Sequence, residues 1–174
     1  TPAFGLFAAL ADRTVIELPA TSIARLQVIH NSPAPGTATG PAVDIYANGG
    51  LLVENFEFRT ATDFDFVPGD VAIDLSVVPT GGDPVTDNLY TGGPVTFENG
   101  SNYVVVANGI AGDPINPFTL DIQDMAREGA ENASEIDIDI HHGSPEVPPV
   151  DIDIFGVVTG DVVDGLGYGD FSGD

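Results

Sequence analysis

The sequence predicts an all-β protein, an Ig-like antiparallel β-sandwich with one complete repeat flanked by partial repeats. Three observations carry this. Twenty-one Gly and 14 Pro punctuate the 174 residues, cutting them into short β-branched runs. Within the runs apolar and polar residues alternate at period two, as a half-buried strand requires. The runs follow one another about 8–12 residues apart with turn residues between them, the spacing of sandwiches and barrels.

Taken in order, Phe4, Leu6, Ala8 and Leu10 fall at period two and predict an N-terminal strand or arm. Ile23–His30 predicts a strand with Ala24, Leu26, Val28 and His30 on one face. Val43–Ala47 predicts another, closed by Asn48-Gly49-Gly50 and continued over 51–53, because Asn and Gly tolerate the positive φ of a tight hairpin turn. Residues 64–67 predict a strand entering a type II turn at Pro68-Gly69. Residues 71–78 alternate through Val71, Ile73, Leu75 and Val77, and 81–84 form a loop. Strands are expected at 86–90, 95–97 and 103–107, the last two joined through Asn99-Gly100, and at 118–122. A single short helix is expected around 124–131.

One stretch recurs. IARLQVIHNSP from Ile23 and PAVDIYANG from Pro41 return as EIDIDIHHGSP from Glu135 and PPVDIDIFG from Pro148. His30, Ser32 and Pro33 each reappear 112 positions later, and the Val-Asp-Ile triplets at Val43 and Val150 lie 107 apart, the difference absorbed by the loop at 34–40. Phe4 through Arg13 echoes Phe118 through Arg127 more weakly. The expected division is an arm or preceding tail at 1–22, a complete repeat at 23–135, and an incomplete head of a second repeat at 136–174. Strands of such a head expose an apolar face and unpaired edges. Ile138, Ile140, Ile152 and Ile154 on that face, with Phe4, Leu6, Ala8 and Leu10 of the arm, are therefore candidate assembly residues. Self-association into a homopolymer by strand addition is the expected partner relation.

Composition narrows the function. Twenty-seven Asp and Glu stand against four Arg and no Lys, a formal charge of −23, while 43% of residues are hydrophobic. A chain this acidic cannot neutralise a phosphate backbone, which excludes nucleic-acid partners. The longest apolar run, 4–11, falls far short of the roughly 20 residues of a membrane-spanning helix, so no membrane insertion is expected. With no Cys there is no disulfide and no thiol chemistry. Self-repulsion at −23 is relieved in concentrated salt, so a salt-rich, halophilic or marine exterior is expected. The chain opens on Thr1 with no basic leader, which reads as processed or excised.

Few residues suggest chemistry. His30 and His142 end equivalent strands before Ser-Pro and read as caps for the backbone there. No nucleophile elbow, Walker motif or dinucleotide fingerprint occurs, and no catalytic residue, bound cofactor or enzymatic activity is expected. Asp137 and Asp139 alternate along one strand and Asp151 and Asp153 along the next, hard oxygens that suit weak Ca²⁺ binding if the strands pair. Asn99 and Asn132 begin Asn-x-Ser glycosylation sequons in expected loops.

His30-x-Ser32-Pro33 followed by Pro41-Ala42-Val43-Asp44-Ile45-Tyr46 and the Asn48-Gly49 turn resembles the extracellular domain-of-unknown-function family DUF4397. Tyr103-Val-Val-Val-Ala-Asn-Gly109 is similar to its late core strand, and Tyr168-Gly-Asp-Phe-Ser-Gly173 to the segment after its first hairpin. The resemblance implies secreted or surface-exposed, often tandem, Ig-like sandwiches without an established activity. The loop at 34–40 and the missing second half of the last copy depart from it. The expected function is thus a non-enzymatic structural or adhesive protein of the extracellular surface, assembling into a filament or array; the alternative is a ligand- or Ca²⁺-binding module of a tandem adhesin or receptor.

Overall fold

The computed structural model describes residues 7–17, 21–33, 40–90, 92–153 and 163–173. The fold is all-β, and no helix occurs among the described residues. β1 (Phe7–Ala9) and β2 (Val15–Glu17) form a separate antiparallel hairpin. Of the strand expected through Phe4, Leu6, Ala8 and Leu10, β1 covers 7–9, and the chain then turns back into β2: Asp12 Oδ1 accepts from Thr14 N at 2.9 Å, and Arg13 takes a positive φ of 70° at the turn.

The body is a sandwich. Its larger sheet runs β11 (Thr119–Gln123), β10 (Asn102–Asn108), β3 (Ile23–His30) and β6 (Asp65–Pro68). The other runs β5 (Gly50–Phe56), β4 (Val43–Ala47) and β8 (Leu75–Pro79), beside a short pair of β7 (Ala72–Ile73) and β9 (Val95–Thr96). β3 turns Ala24, Leu26, Val28 and His30 inward, the expected face. They meet Val43, Ile45, Phe56 and Val77 of the opposite sheet in one core, with Phe97 and Tyr103 edge-on at 4.8 Å. The Asn48-Gly49 turn has φ of 49° and 77°, the primed geometry that matches the twist of the flanking strands.

Several expectations are corrected. The β3–β10 pair is parallel, because the intervening chain passes through the second sheet and re-enters at the same end as β3. At Pro68-Gly69 the left-handed residue is Asp70 (φ 58°). Its Oδ1 accepts from Asn99 N at 3.0 Å, holding the turn. The alternating run at 71–78 is divided at Asp74, whose N–H donates to Asn48 Oδ1 at 2.9 Å. The strand expected at 86–90 is a turn instead. Asp87 Oδ2 accepts from Asp83 N and Asp83 Oδ1 from Val85 N just before it, while Asn88 Oδ1 accepts from Tyr90 N at 3.1 Å and from Val77 N at 2.9 Å. The expected helix at 124–131 is irregular: Gln123 Oε1 takes the Met125 N–H, Glu128 is drawn to Arg25, and Gly129 disfavours helix.

Candidate functional site

The His-x-Ser-Pro corners come first. His30 Nδ1 accepts from Ser32 N at 3.3 Å, so its other nitrogen carries the proton and donates to Pro41 O at 3.0 Å. His142 repeats both bonds, with Ser144 N at 3.3 Å and Pro148 O at 3.3 Å. Each imidazole ties its own segment to the residues just before the strand that follows, β4 for His30 and Val150–Ile152 for His142. Neither ring nitrogen is left for a metal or a substrate proton. His30 is 1% exposed, and burial pushes its pKa down.

The likeness between the two stretches extends past the corner. β12 (Val150–Ile152) pairs with β13 (Val163–Leu166) through Val150↔Leu166 and Ile152↔Val163. β4 and β5 pair through Val43↔Phe56 and Ile45↔Val53. Asp44 Oδ1 accepts from Asn55 N at 2.7 Å, and Asp151 Oδ1 from Gly165 N at 2.8 Å. Val28 N donates to Thr62 Oγ1 at 3.0 Å, and Ile140 N to Ser172 Oγ at 2.9 Å. Edge-on rings beside the histidines match too: Phe58 at 5.8 Å from His30, Tyr168 at 6.5 Å from His142.

The two copies differ in what covers them. Asp44 gives its second oxygen to Gly81 N at 2.8 Å, just beyond β8. Among the described residues no counterpart of β8 flanks β12, and no counterpart of β10 flanks 138–143. Val28, Val43 and Ile45 are buried in the core, whereas their counterparts Ile140, Val150 and Ile152 are only half-buried. These three, with Val147 and Leu166, form one wall of a groove of about 790 Å³. Ile29, Arg59, Ala61 and Val106 of the complete sandwich form the other.

A family profile described as domain of unknown function (DUF4397) matches residues 24–153, from β3 through β12. The chain belongs to the DUF4397 family. None of the curated proteins compared with it matches. In this DUF4397 chain a polar seam joins the sandwich to residues 141–143. Asn31 Nδ2 donates to Gly143 O at 2.9 Å and to Asn108 Oδ1 at 3.2 Å. Asn108 Nδ2 and His141 Nε2 both donate to Asp121 Oδ2, at 2.8 and 3.0 Å, and Thr119 donates to its other oxygen at 3.0 Å. Burial pushes the Asp121 carboxyl up, but the bonds from His141, Asn108 and Thr119 together outweigh it and hold the group below the usual range. The Tyr168 hydroxyl is buried at this seam; burial, then the Asp121 charge, raises its pKa, partly offset by the Gly109 backbone.

The remaining predicted residues are scattered. Asp137 accepts from Glu131 N and faces Arg127 at 3.2 Å. Asp139 accepts from Ser172 Oγ at 3.1 Å, Asp151 is held by Gly165, and Asp153 is exposed. Among the described residues no three His, Asp or Glu side chains gather as a metal site. Asn99 Oδ1 accepts from Ile23 N at 2.9 Å and Asn132 Nδ2 donates to Glu135 at 2.7 Å; both asparagines are exposed. Ile140 and Ile152 share the groove, Ile138 is 61% exposed, Ala8 pairs with Ile16 inside the hairpin, and Leu10 is 46% exposed. Phe4, Leu6 and Ile154 lie outside the described residues. Sequence reasoning missed the seam. Its one signal was that Tyr168 replaces Phe58, a hydroxyl added where the first copy has none.

Proposed function

We propose that this chain is a non-enzymatic structural module of an extracellular surface, and that its copies associate by adding strands to the half-covered stretch formed by residues 138–153 and 163–166. The observation that carries this is the groove. Its wall is built from counterparts of core residues, and the complete sandwich supplies a template for what fits there. β8 lies against β4, and β10 lies parallel to β3 with Tyr103 opposite Leu26 and Val105 opposite Val28. Completing the burial of Ile140, Val150 and Ile152 is worth roughly half of the about 1.5–3 kcal/mol that full burial of each would bring, and strand addition also satisfies backbone groups left unpaired at β12 among the described residues. A surface role agrees with the −23 charge and the two exposed sequons. A Ca²⁺-binding module is less well supported, since Asp137, Asp139 and Asp151 spend oxygens on internal hydrogen bonds.

Sedimentation velocity and electron microscopy in 1 M NaCl test the reading. Concentration-dependent oligomers or filaments are expected, and Ile152→Asp is expected to abolish them. Monodisperse wild-type monomers at every concentration overturn it.

A further inference from the structure

Arg59 has a left-handed backbone, φ 64°, a conformation that costs a side-chain-bearing residue about 1–2 kcal/mol. The corresponding residue of the second copy is Gly169, at φ 88°. Both make the same bond, Arg59 N to His30 O at 2.7 Å and Gly169 N to His142 O at 2.9 Å. The turn therefore asks for glycine, and nothing in it needs a guanidinium. Strain retained at one copy and relieved at the other points to a use for the side chain.

Its surroundings indicate the use. Arg25 is paired with Glu128, and Arg127 with Glu131 and Asp137; Arg13 sits in the β1–β2 turn. Arg59 is exposed and has no carboxylate partner among the described residues, although the chain holds 27 carboxylates. Its guanidinium lies over the Phe58 ring at 5.0 Å. From there it lines the apolar groove and an adjoining pocket of about 180 Å³, which Ser144 also lines. In the first copy the matching hydroxyl, Ser32 Oγ, donates to Gly109 O at 2.7 Å; the Ser144 hydroxyl has no partner among the described residues.

Two chains at −23 repel one another, and a positive charge at the contact offsets part of that repulsion at low salt. We propose that Arg59, with Ser144 beside it, is the specificity determinant of that contact: it takes a carboxylate of the second copy while the apolar part of the incoming strand lies on Ile140, Val150 and Ile152. This deepens the strand-addition reading and rests on it.

The test compares wild type, Arg59→Gly and Ile152→Asp by sedimentation velocity at 0.2 M and 1 M NaCl, with thermal melts of each. Arg59→Gly copies the residue of the second copy, so its melting midpoint is expected to equal or exceed that of wild type. Its self-association is expected to weaken about tenfold at 0.2 M. The gap should close toward 1 M, where the Debye length is about 3 Å. If Ile152→Asp associates like wild type, or wild type is monomeric at both salts, strand addition at this groove is wrong and the Arg59 role falls with it. If Ile152→Asp is monomeric while Arg59→Gly matches wild type at both salts, the Arg59 role alone is wrong.

Discussion

His30 spends both ring nitrogens on backbone groups and is enclosed by Phe56 and Phe58. The folded state holds it neutral, and its pKa lies below the ordinary 6.5. The unfolded chain binds the proton more readily. The stability His30 contributes is therefore complete above about pH 6.5 and is lost as pH falls from there toward the depressed folded value. Urea midpoints are expected to drop between pH 7 and pH 5, before the carboxylates titrate. His30→Asn should be less stable at pH 7 by about 1–3 kcal/mol, through a lost bond to Pro41 O or Ser32 N, and should flatten the slope over that interval. An unchanged slope in the variant would contradict this role for His30. The capping role of the histidines was legible in the sequence, because Pro at Pro33 and Pro145 forbids continuation of the strand and leaves backbone groups to satisfy. Asp44 was not legible. It reads as a solvent-facing strand residue, yet it is 4% exposed and bonds Asn55 N and Gly81 N. The donors lie 11 and 37 residues away, beyond any local pattern.

Among elements, those with strong alternation or a primed turn were read with their bounds. Ile23–His30 and Val43–Ala47 coincide with β3 and β4. The failures share a cause: short polar side chains competing for backbone groups. Asp83, Asp87 and Asn88 convert an expected strand into a turn, and Asp74 with Asn48 divides another. Such contests are decided by distant partners that local propensity cannot see. The β4–β5 hairpin turn gives a direct check. Gly49 has φ 77° and open space around it, so Gly49→Ala meets no clash and isolates the backbone strain. It is expected to lower stability by about 1–2 kcal/mol without altering secondary structure by circular dichroism. A neutral result would mean the turn has relaxed to another type.

At the scale of the whole molecule, the charge governs stability. With 27 acidic residues and four Arg, mutual repulsion is strongest in dilute buffer, where the Debye length is about 10 Å at 0.1 M salt. The melting midpoint is expected to climb steadily from 0.1 M to 1 M NaCl, and KCl should act like NaCl if screening is the cause. A midpoint independent of salt would show that the repulsion is already met within the fold. The recurrence of Val-Asp-Ile and His-x-Ser-Pro made the two matching histidine corners visible in sequence. The groove between the copies was not visible, because its far wall (Ile29, Ala61, Val106) belongs to residues whose alternation says nothing about that neighbour.

The parallel β3–β10 pairing also bears on how the chain acquires its structure. Leu26 pairs with Tyr103, and Val28 with Val105, across an intervening stretch of chain that supplies β4 through β9. Contacts so distant in sequence make folding slow, because a long loop must close before they form. During synthesis the edge of β3 stays unpaired until residues 102–108 have emerged, and for that interval it is a sticky template for any strand nearby. Like charge opposes association between such chains, so the 27 carboxylates that repel one another in the folded state also work against pairing at that edge.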